Sequence, residues 1–178
     1  MRFTRTRTGT VVLPMIVVIS GLSLAGLKEH APAPSKKVIS LSIAKEYKNL
    51  EELRRDADVV ALVSVVGEPR PSQRLANFPT VDVHLRVEQV FDGEAHVGDT
   101  LTLVQYGDLS GQITVEDSIP ILQDGKQYVV YLNRHFPDQP QMFLTGQVGA
   151  FEAGTSTVFH RVGETSAHLP KDVSVNQF

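Results

Sequence analysis

Two neighbouring β patterns in the middle of the chain most constrain its fold. Residues 59–66 form a nearly continuous β-branched run (VVALVSVV) between Asp58 and Gly67, which is typical of a strand covered on both faces. Residues 81–88 then alternate strictly, with valine or leucine on one face and charged or histidine side chains on the other. A period of two predicts a strand with one exposed face. Together the two patterns predict a β-sheet at the centre of the fold.

Shorter β patterns follow these two strands, and turn signals separate them. Asp-Gly or Gly-Asp pairs predict turns at residues 92–93, 98–99 and 124–125. Further strands are predicted at residues 100–103, 127–132, 142–145, 148–151 and 157–160. Short strands with turns about every 8–12 residues are typical of a sandwich or a small barrel.

One short helix is predicted before the first strand. Asn49 stands in the capping position, and Glu52 follows three residues later, which is the spacing of a capping box. Leu53 faces the core, and Arg54 and Arg55 lie in the last turn, where cations favour the helix dipole. One helix and five to seven strands predict a mainly β fold, a small OB-like β-barrel.

Three stretches lack a regular pattern. Residues 68–79 hold three prolines, and residues 106–119 are polar, so that both are predicted to be loops. After Gly163 the chain shows no periodicity and is predicted to be a tail.

The beginning of the chain predicts export. Residues 11–27 form an uncharged apolar run behind a leader with three arginines, and no acidic residue occurs before Glu29. This charge asymmetry favours transfer of the remainder across the membrane. The segment is either a signal peptide cleaved after Ala25, where small residues flank Leu24, or a retained N-terminal membrane anchor helix. The protein is therefore predicted to be secreted, or anchored on the outer face of a bacterial cytoplasmic membrane.

Composition divides the chain into four parts. These are the signal or anchor at residues 1–27, an Ala/Pro/Lys tether at 28–43, the β-barrel domain at 44–162 and the tail at 163–178. Without residues 1–27 the formal charge is 14 − 20 = −6, which argues against binding of nucleic acid or of an anionic lipid surface. The chain has no cysteine, so disulfide and thiol chemistry are excluded.

Four segments carry a resemblance to a known group of proteins. They are LEELRRDADVVALVSVV at 50–66, VDVHLRVEQVFDGEAHVGDTLTL at 81–103, DGKQYVVYL at 124–132 and GQVGAFE at 146–152. In strand and turn order the chain resembles a broad group of exported, largely uncharacterised bacterial β-domains, and more distantly the netrin-like OB barrels. The resemblance implies a fold and an exported location. Netrin-like inhibitors carry an N-terminal cysteine framework that this chain lacks, so their activity is not implied.

Residue types that perform catalysis or bind metals are scattered. The six histidines show no HxH, HxxxH or HExxH spacing, so no zinc site is predicted. His84 shares the polar face of its strand with Asp82 and Arg86, which predicts a surface cross-strand pair rather than a base or a ligand.

Acidic residues and serines of the loops provide two further alternatives. Calcium needs several converging oxygen atoms, but the acidic spacing matches no EF-hand, so a solvated loop is predicted and calcium binding is the alternative. The acidic residues are Asp108, Glu116, Asp117 and Asp124. The serines outside the tether considered as nucleophiles are Ser110, Ser118, Ser156 and Ser166. None stands in a GxSxG motif, so no catalytic, cofactor-binding or metal residue is predicted.

The leading functional prediction is a non-catalytic domain that binds a protein or a component of the cell envelope. Its contacts are predicted in the loops at residues 68–79 and 106–119, with Phe136 as a candidate contact residue. The alternatives are a structural subunit of a membrane assembly, and a hydrolase whose site combines distant residues such as His84 or His160.

Overall fold

The computed structural model describes only part of the chain. The described residues are 37–40, 45–75, 78–116, 119–136, 138–154, 157–163 and 168–178. The chain divides into two units, Met1–Ala33 and Pro34–Phe178, and all described residues belong to the second. The predicted signal or anchor at residues 1–27 lies outside the described residues. Within the described ranges, no helix has the length and apolar character needed to cross a membrane.

The second unit is mainly β with one short helix, as the sequence predicts. The described residues form eleven strands, more than the five to seven predicted. The helix is α1 (Leu50–Arg55). The strands are β1 (Lys37–Ser40), β2 (Val59–Val65), β3 (Arg70–Leu75), β4 (Phe78–Gly93), β5 (Thr100–Tyr106), β6 (Ile113–Glu116), β7 (Gln127–Asn133), β8 (Phe143–Leu144), β9 (Ala150–Ala153), β10 (Val158–Arg161) and β11 (Asp172–Ser174).

Nine of the strands form one antiparallel sheet around the long strand β4. The main path of the sheet runs β11-β10-β9-β7-β2-β4-β3, with β5 paired to β4 and β8 paired to β7. Val81 of β4 pairs with Pro71 of β3 on one edge and with Gln105 of β5 on the other. β1 and β6 form a separate parallel pair in which Lys37 lies opposite Ile113.

Each face of the sheet buries its own core. The first core contains alternate residues of β2, β4 and β7, including Val63, Val83 and Val130. The second core contains the intervening residues of β2 and β7, together with α1 and the C-terminal segment. Because β2 contributes to both cores, its prediction as a strand covered on both faces is confirmed.

The predicted helix and its cap are also confirmed. The side chain of Asn49 accepts a hydrogen bond from the backbone N–H of Glu52 at 2.9 Å. The Glu52 carboxylate in turn accepts from the backbone N–H of Lys48 at 3.0 Å. Leu53 is fully buried in the second core, so α1 covers that face of the sheet.

The three stretches predicted as irregular contain strands, which corrects the sequence prediction. Residues 68–79 include β3 and the start of β4, because an edge strand tolerates prolines such as Pro71. The parallel pair of β1 and β6 joins part of the predicted tether to part of the predicted 106–119 loop. The predicted tail includes β11, and Leu169, Val173 and Phe178 are buried in the second core.

Candidate functional site

The two segments predicted as contact loops meet at one groove. We call it the hairpin groove, because the β3–β4 hairpin forms one wall and the turn after β5 forms the other. Its volume is about 410 Å³. It is lined by Pro71, Ser72 and Gln73 of β3, by Pro79, Thr80 and Val81 of β4, and by Gly107, Asp108 and Leu109 after β5.

Side-chain hydrogen bonds hold the hairpin wall in place. The hydroxyl groups of Ser72 and Thr80 lie 2.8 Å apart, and the backbone N–H of Arg74 donates to the Thr80 hydroxyl at 3.2 Å. The Arg74 guanidinium pairs with the Asp82 carboxylate at 2.7 Å. Burial opposes ionisation of Asp82, but hydrogen bonds from Arg74 and Ser72 keep the pKa of its carboxyl below the ordinary value. These bonds therefore fix β3 to β4 on the face of the hairpin that carries Thr80 and Asp82.

One carboxylate organises the opposite wall. Asp108 accepts hydrogen bonds from the backbone N–H and the hydroxyl of Ser110, and from the backbone N–H groups of Gln112 (3.0 Å) and Ile113 (3.2 Å). These bonds, the Ser110 hydroxyl first, lower the pKa of the Asp108 carboxyl. The turn holds Leu109 at its tip, where the residue is 46% exposed. Ser110 thus acts as a donor to a turn, in the manner of an Asx-turn, rather than as an activated nucleophile.

The groove joins a well-fixed part of the sheet at the end of β5. The backbone N–H of Gly107 donates to the carbonyl of Pro79 at 3.0 Å. Gln105 is buried, and its side-chain oxygen accepts from the N–H of Leu122 at 2.9 Å while its amide donates to the carbonyl of Pro120 at 3.3 Å. Both polar ends of this buried amide are therefore satisfied, and they fix residues 120–122 beside β5.

The groove carries little charge. Asp108 is the single charged residue among those that line it. In the part of the chain that the structure describes, no ion pair joins Asp108 to a basic side chain, whereas Arg74 of the hairpin wall is already paired with Asp82. Among the described residues that line the groove, Asp108 therefore places one negative charge at its edge.

A second cleft of about 480 Å³ lies beside the loop that follows β7. It is lined by Thr100, Leu101, Thr102, Arg134, Asp138, Gln139, Pro140 and Met142. Phe136, the predicted contact residue, lies in this loop and is 37% exposed. Its ring packs edge-on against those of His135, at 4.9 Å between centroids, and Phe143, at 6.3 Å. Phe136 therefore lies in an aromatic cluster outside the hairpin groove.

The histidines considered for a hydrolase do not come together. His84 lies on β4 opposite Thr102 of β5, and His160 lies on β10, with β9, β7 and β2 between the two strands. The Nδ1 of His160 lies 2.7 Å from a carboxylate oxygen of Asp172 across β10 and β11. Its Nε2 faces Gly154, where an added Cβ would lie only 2.5 Å away. The imidazole of His160 thus links two strands at the edge of the sheet.

Acidic residues and serines of the loops form no cluster that the structure describes. Asp124 accepts a hydrogen bond from the N–H of Gly67 at 2.8 Å, in a turn different from that of Asp108. The calcium alternative also involved the side chains of Glu116 and Asp117, which lie outside the described part, as do Ser118, Ser156 and Ser166. Within the described ranges, no three histidine or acidic side chains gather in a way that could hold a metal ion.

Comparison with protein-family profiles, with curated proteins and with solved structures found no match to this chain. The geometry of the groove is therefore the basis for judging function. Sequence reasoning missed Leu109, Thr80 and Gln105 as parts of this region. Leu109 carried a usable signal, because it is a large apolar residue within a polar stretch.

Proposed function

We propose that this chain is an extracytoplasmic, non-catalytic β-domain that binds a partner polypeptide in the hairpin groove. The observation that carries the proposal is the convergence of two sequence-distant segments, residues 71–73 and 107–109, around one groove. Binding residues are commonly found on connections that a rigid scaffold holds in place. Here the hydrogen bonds of Thr80 and Asp108 supply that rigidity.

The composition of the groove favours binding over catalysis. Its lining contains no histidine, lysine or cysteine, and its one carboxylate, that of Asp108, already accepts several hydrogen bonds. Those hydrogen bonds lower the pKa of the Asp108 carboxyl, which makes it a weaker base at neutral pH. Leu109, in contrast, offers an exposed apolar contact at the rim.

The location and the closure of the sheet are parts of the same proposal. Residues 1–27 would direct export as a cleaved signal or a membrane anchor, which leaves the β-domain outside the cytoplasm. The proposed OB-like closure is supported by a parallel bridge between Leu103 of β5 and Met142. The N–H of Met142 donates to the carbonyl of Thr102 at 2.9 Å, and the chain then enters β8, which pairs with β7.

Site-specific photo-crosslinking in the full chain tests the proposal. A photoreactive benzoylphenylalanine replaces Leu109, and a matched chain carries it at Val97, which is 68% exposed in the turn between β4 and β5. In cells of the source organism, we expect a discrete adduct from position 109 and none of the same mass from position 97. Equal adducts at both positions, or none at 109, would contradict binding at the groove.

A further inference from the structure

We infer that Asp92–Gly93 is a site of spontaneous modification, at which the aspartate closes onto the next backbone nitrogen and converts to isoaspartate. The site lies at the end of β4, whereas the hairpin groove lies at its start, and it does not depend on the proposed function. The sequence contains two Asp-Gly pairs, Asp92–Gly93 and Asp124–Gly125. Glycine has no side chain to obstruct the approach of the two groups, so both pairs are open to this reaction in an unfolded chain.

The two reacting groups of the first pair are in contact. The backbone N–H of Gly93 donates to the side-chain carboxyl of Asp92, with 2.9 Å between the nitrogen and Oδ1, so the nitrogen lies next to the carboxyl carbon. The other carboxyl oxygen lies 3.1 Å from Nε of Arg54, which limits rotation of the carboxyl group. Groups that are already held close together in a suitable orientation react faster than groups that must first meet. Asp92 and Gly93 are also exposed, so water reaches the site.

The second pair holds the same two groups apart. The backbone N–H of Gly125 donates to the carbonyl of Val65 at 3.1 Å. The carboxylate of Asp124 accepts a hydrogen bond from the backbone N–H of Gly67 at 2.8 Å. The nitrogen and the carboxyl group are therefore each bound to another residue, and ring closure would first require both hydrogen bonds to break. The fold should thus protect the second pair and leave the first one reactive.

The reaction requires only water and a proton from solution. The nitrogen of Gly93 loses its proton and forms a bond to the carboxyl carbon of Asp92. One carboxyl oxygen leaves as water, which carries that proton and one proton that the carboxylate takes up from solution. The product is a cyclic imide. Water then adds to the main-chain carbonyl carbon of Asp92 and breaks its bond to the nitrogen, so the side chain becomes part of the main chain and isoaspartate results.

Isoaspartate adds one carbon to the main chain at a place that is closely packed. In the sheet, Gly93 lies opposite Val59. An added Cβ on Gly93 would lie only 2.0 Å from the carbonyl oxygen of Asp58. A longer main chain cannot keep this pairing and this packing together. The modified chain should therefore lose the pairing at this end of β2 and β4, and it should unfold at a lower urea concentration than the unmodified chain.

Ageing of the full chain at mildly acidic pH, compared with the same chain kept unfolded in guanidinium chloride, tests this inference. Trypsin releases residues 87–126 as one peptide, because Arg86 precedes it and Lys126 ends it, so both Asp-Gly pairs are compared in the same molecule. Electron-transfer fragmentation then identifies isoaspartate at each position. In the folded chain we expect about fivefold more isoaspartate at position 92 than at position 124, and in the unfolded chain a difference of about twofold or less.

Asp92→Glu is the matched variant, because it keeps a carboxylate near Arg54 but would have to close a larger and less favourable ring. It should remove the product at position 92 and leave the amount at position 124 unchanged. Equal amounts at both positions of the folded chain, or no isoaspartate at position 92, would overturn the inference. The same preference for position 92 in the folded and the unfolded chain would also overturn it, since local sequence rather than the fold would then be the cause.

Discussion

At the scale of single residues, Gly146 provides a sharp test of the packing in the second core. Its φ is +60°, and an added Cβ would lie 2.2 Å from Cε2 of the Tyr47 ring. That ring is buried, and its hydroxyl donates to Asp56 at 3.1 Å, so it cannot move aside freely. Gly146→Ala combines a left-handed backbone with overpacking and should lower the free energy of unfolding by about 2–4 kcal/mol in urea titrations.

Gly111 is the matched control for this substitution. Its φ is +69°, but an added Cβ would meet no atom within 4 Å. Gly111→Ala should therefore lower the free energy of unfolding by only about 1–2 kcal/mol, the contribution of the left-handed backbone. If the two variants lost the same stability, the steric role of the Tyr47 ring at Gly146 would be refuted.

Residue roles were predictable from the sequence only where they depend on close neighbours. The cap formed by Asn49 with Glu52 follows from a spacing of three residues and is present in the structure. The role of Asp108 depends on the conformation of the whole turn up to Ile113, which its spacing does not reveal. Gln105 is buried because of distant partners at Pro120 and Leu122, so its polar character alone wrongly suggests exposure.

At the scale of elements, the C-terminal segment should contribute strongly to stability. The ring of Phe178 packs against four other aromatic rings, those of Phe91, Tyr131, Phe151 and Phe159, at centroid distances of 5.3 to 6.4 Å. Phe178→Ala should lower the free energy of unfolding by about 3–5 kcal/mol, because it leaves a cavity in the second core.

Phe136→Ala provides the same chemical change at a partly exposed ring of the loop after β7. This substitution should lower the free energy of unfolding by about 1 kcal/mol or less, since surface substitutions seldom have a larger effect. Urea unfolding of both variants measures the comparison. A Phe178→Ala chain as stable as the Phe136→Ala chain would show that the C-terminal segment does not hold the sheet.

Elements with a strong hydrophobic period were predictable, and edge elements were not. β2 and β7 are continuous apolar runs because both of their faces are buried. β3 exposes most of its side chains and contains Pro71, so it lacks both the alternation and the composition of a strand. It forms because the long strand β4 offers it an edge, and such tertiary pairing overrides local propensity. The same holds for β11, which exists through its pairing with β10.

At the scale of the whole molecule, fold class was predictable but strand order was not. A mainly β fold with one helix follows from the strand-like and helix-like spacing of apolar residues in the sequence. The register between β4 and β2 includes shifts next to Ala61 and Val63, so β4 extends to Gly93, well beyond the alternating segment at residues 81–88. Bulges of this kind depend on the partner strand. Both segments that line the hairpin groove were identified from the sequence as candidate contact regions. That they lie side by side depends on the order of the strands in the sheet, which was not predictable.

The tyrosines make the stability of the whole domain sensitive to alkali. All four tyrosines of the chain, Tyr47, Tyr106, Tyr128 and Tyr131, have a raised pKa, chiefly because of burial, and for Tyr47 and Tyr131 the value is about 12. In the unfolded chain the pKa of tyrosine is about 10. The folded state therefore binds these protons more tightly, and its stability is fully present below about pH 10 and decreases as pH rises towards 12.

A pH titration followed by phenolate absorbance and by far-ultraviolet circular dichroism measures this dependence. We expect the absorbance to stay low past the pKa of free tyrosine, about 10, and then to rise together with the loss of the β signal. In a Tyr131→Phe chain the rise should be smaller, because one buried phenol is missing. Phenolate formation near pH 10 with an intact β signal would mean that the phenols are not buried in the folded state. A cooperative rise in absorbance that coincides with the loss of the β signal would instead mean that ionisation of Tyr131 and unfolding of the sheet are one event, since Tyr131 belongs to a strand that also builds the first core.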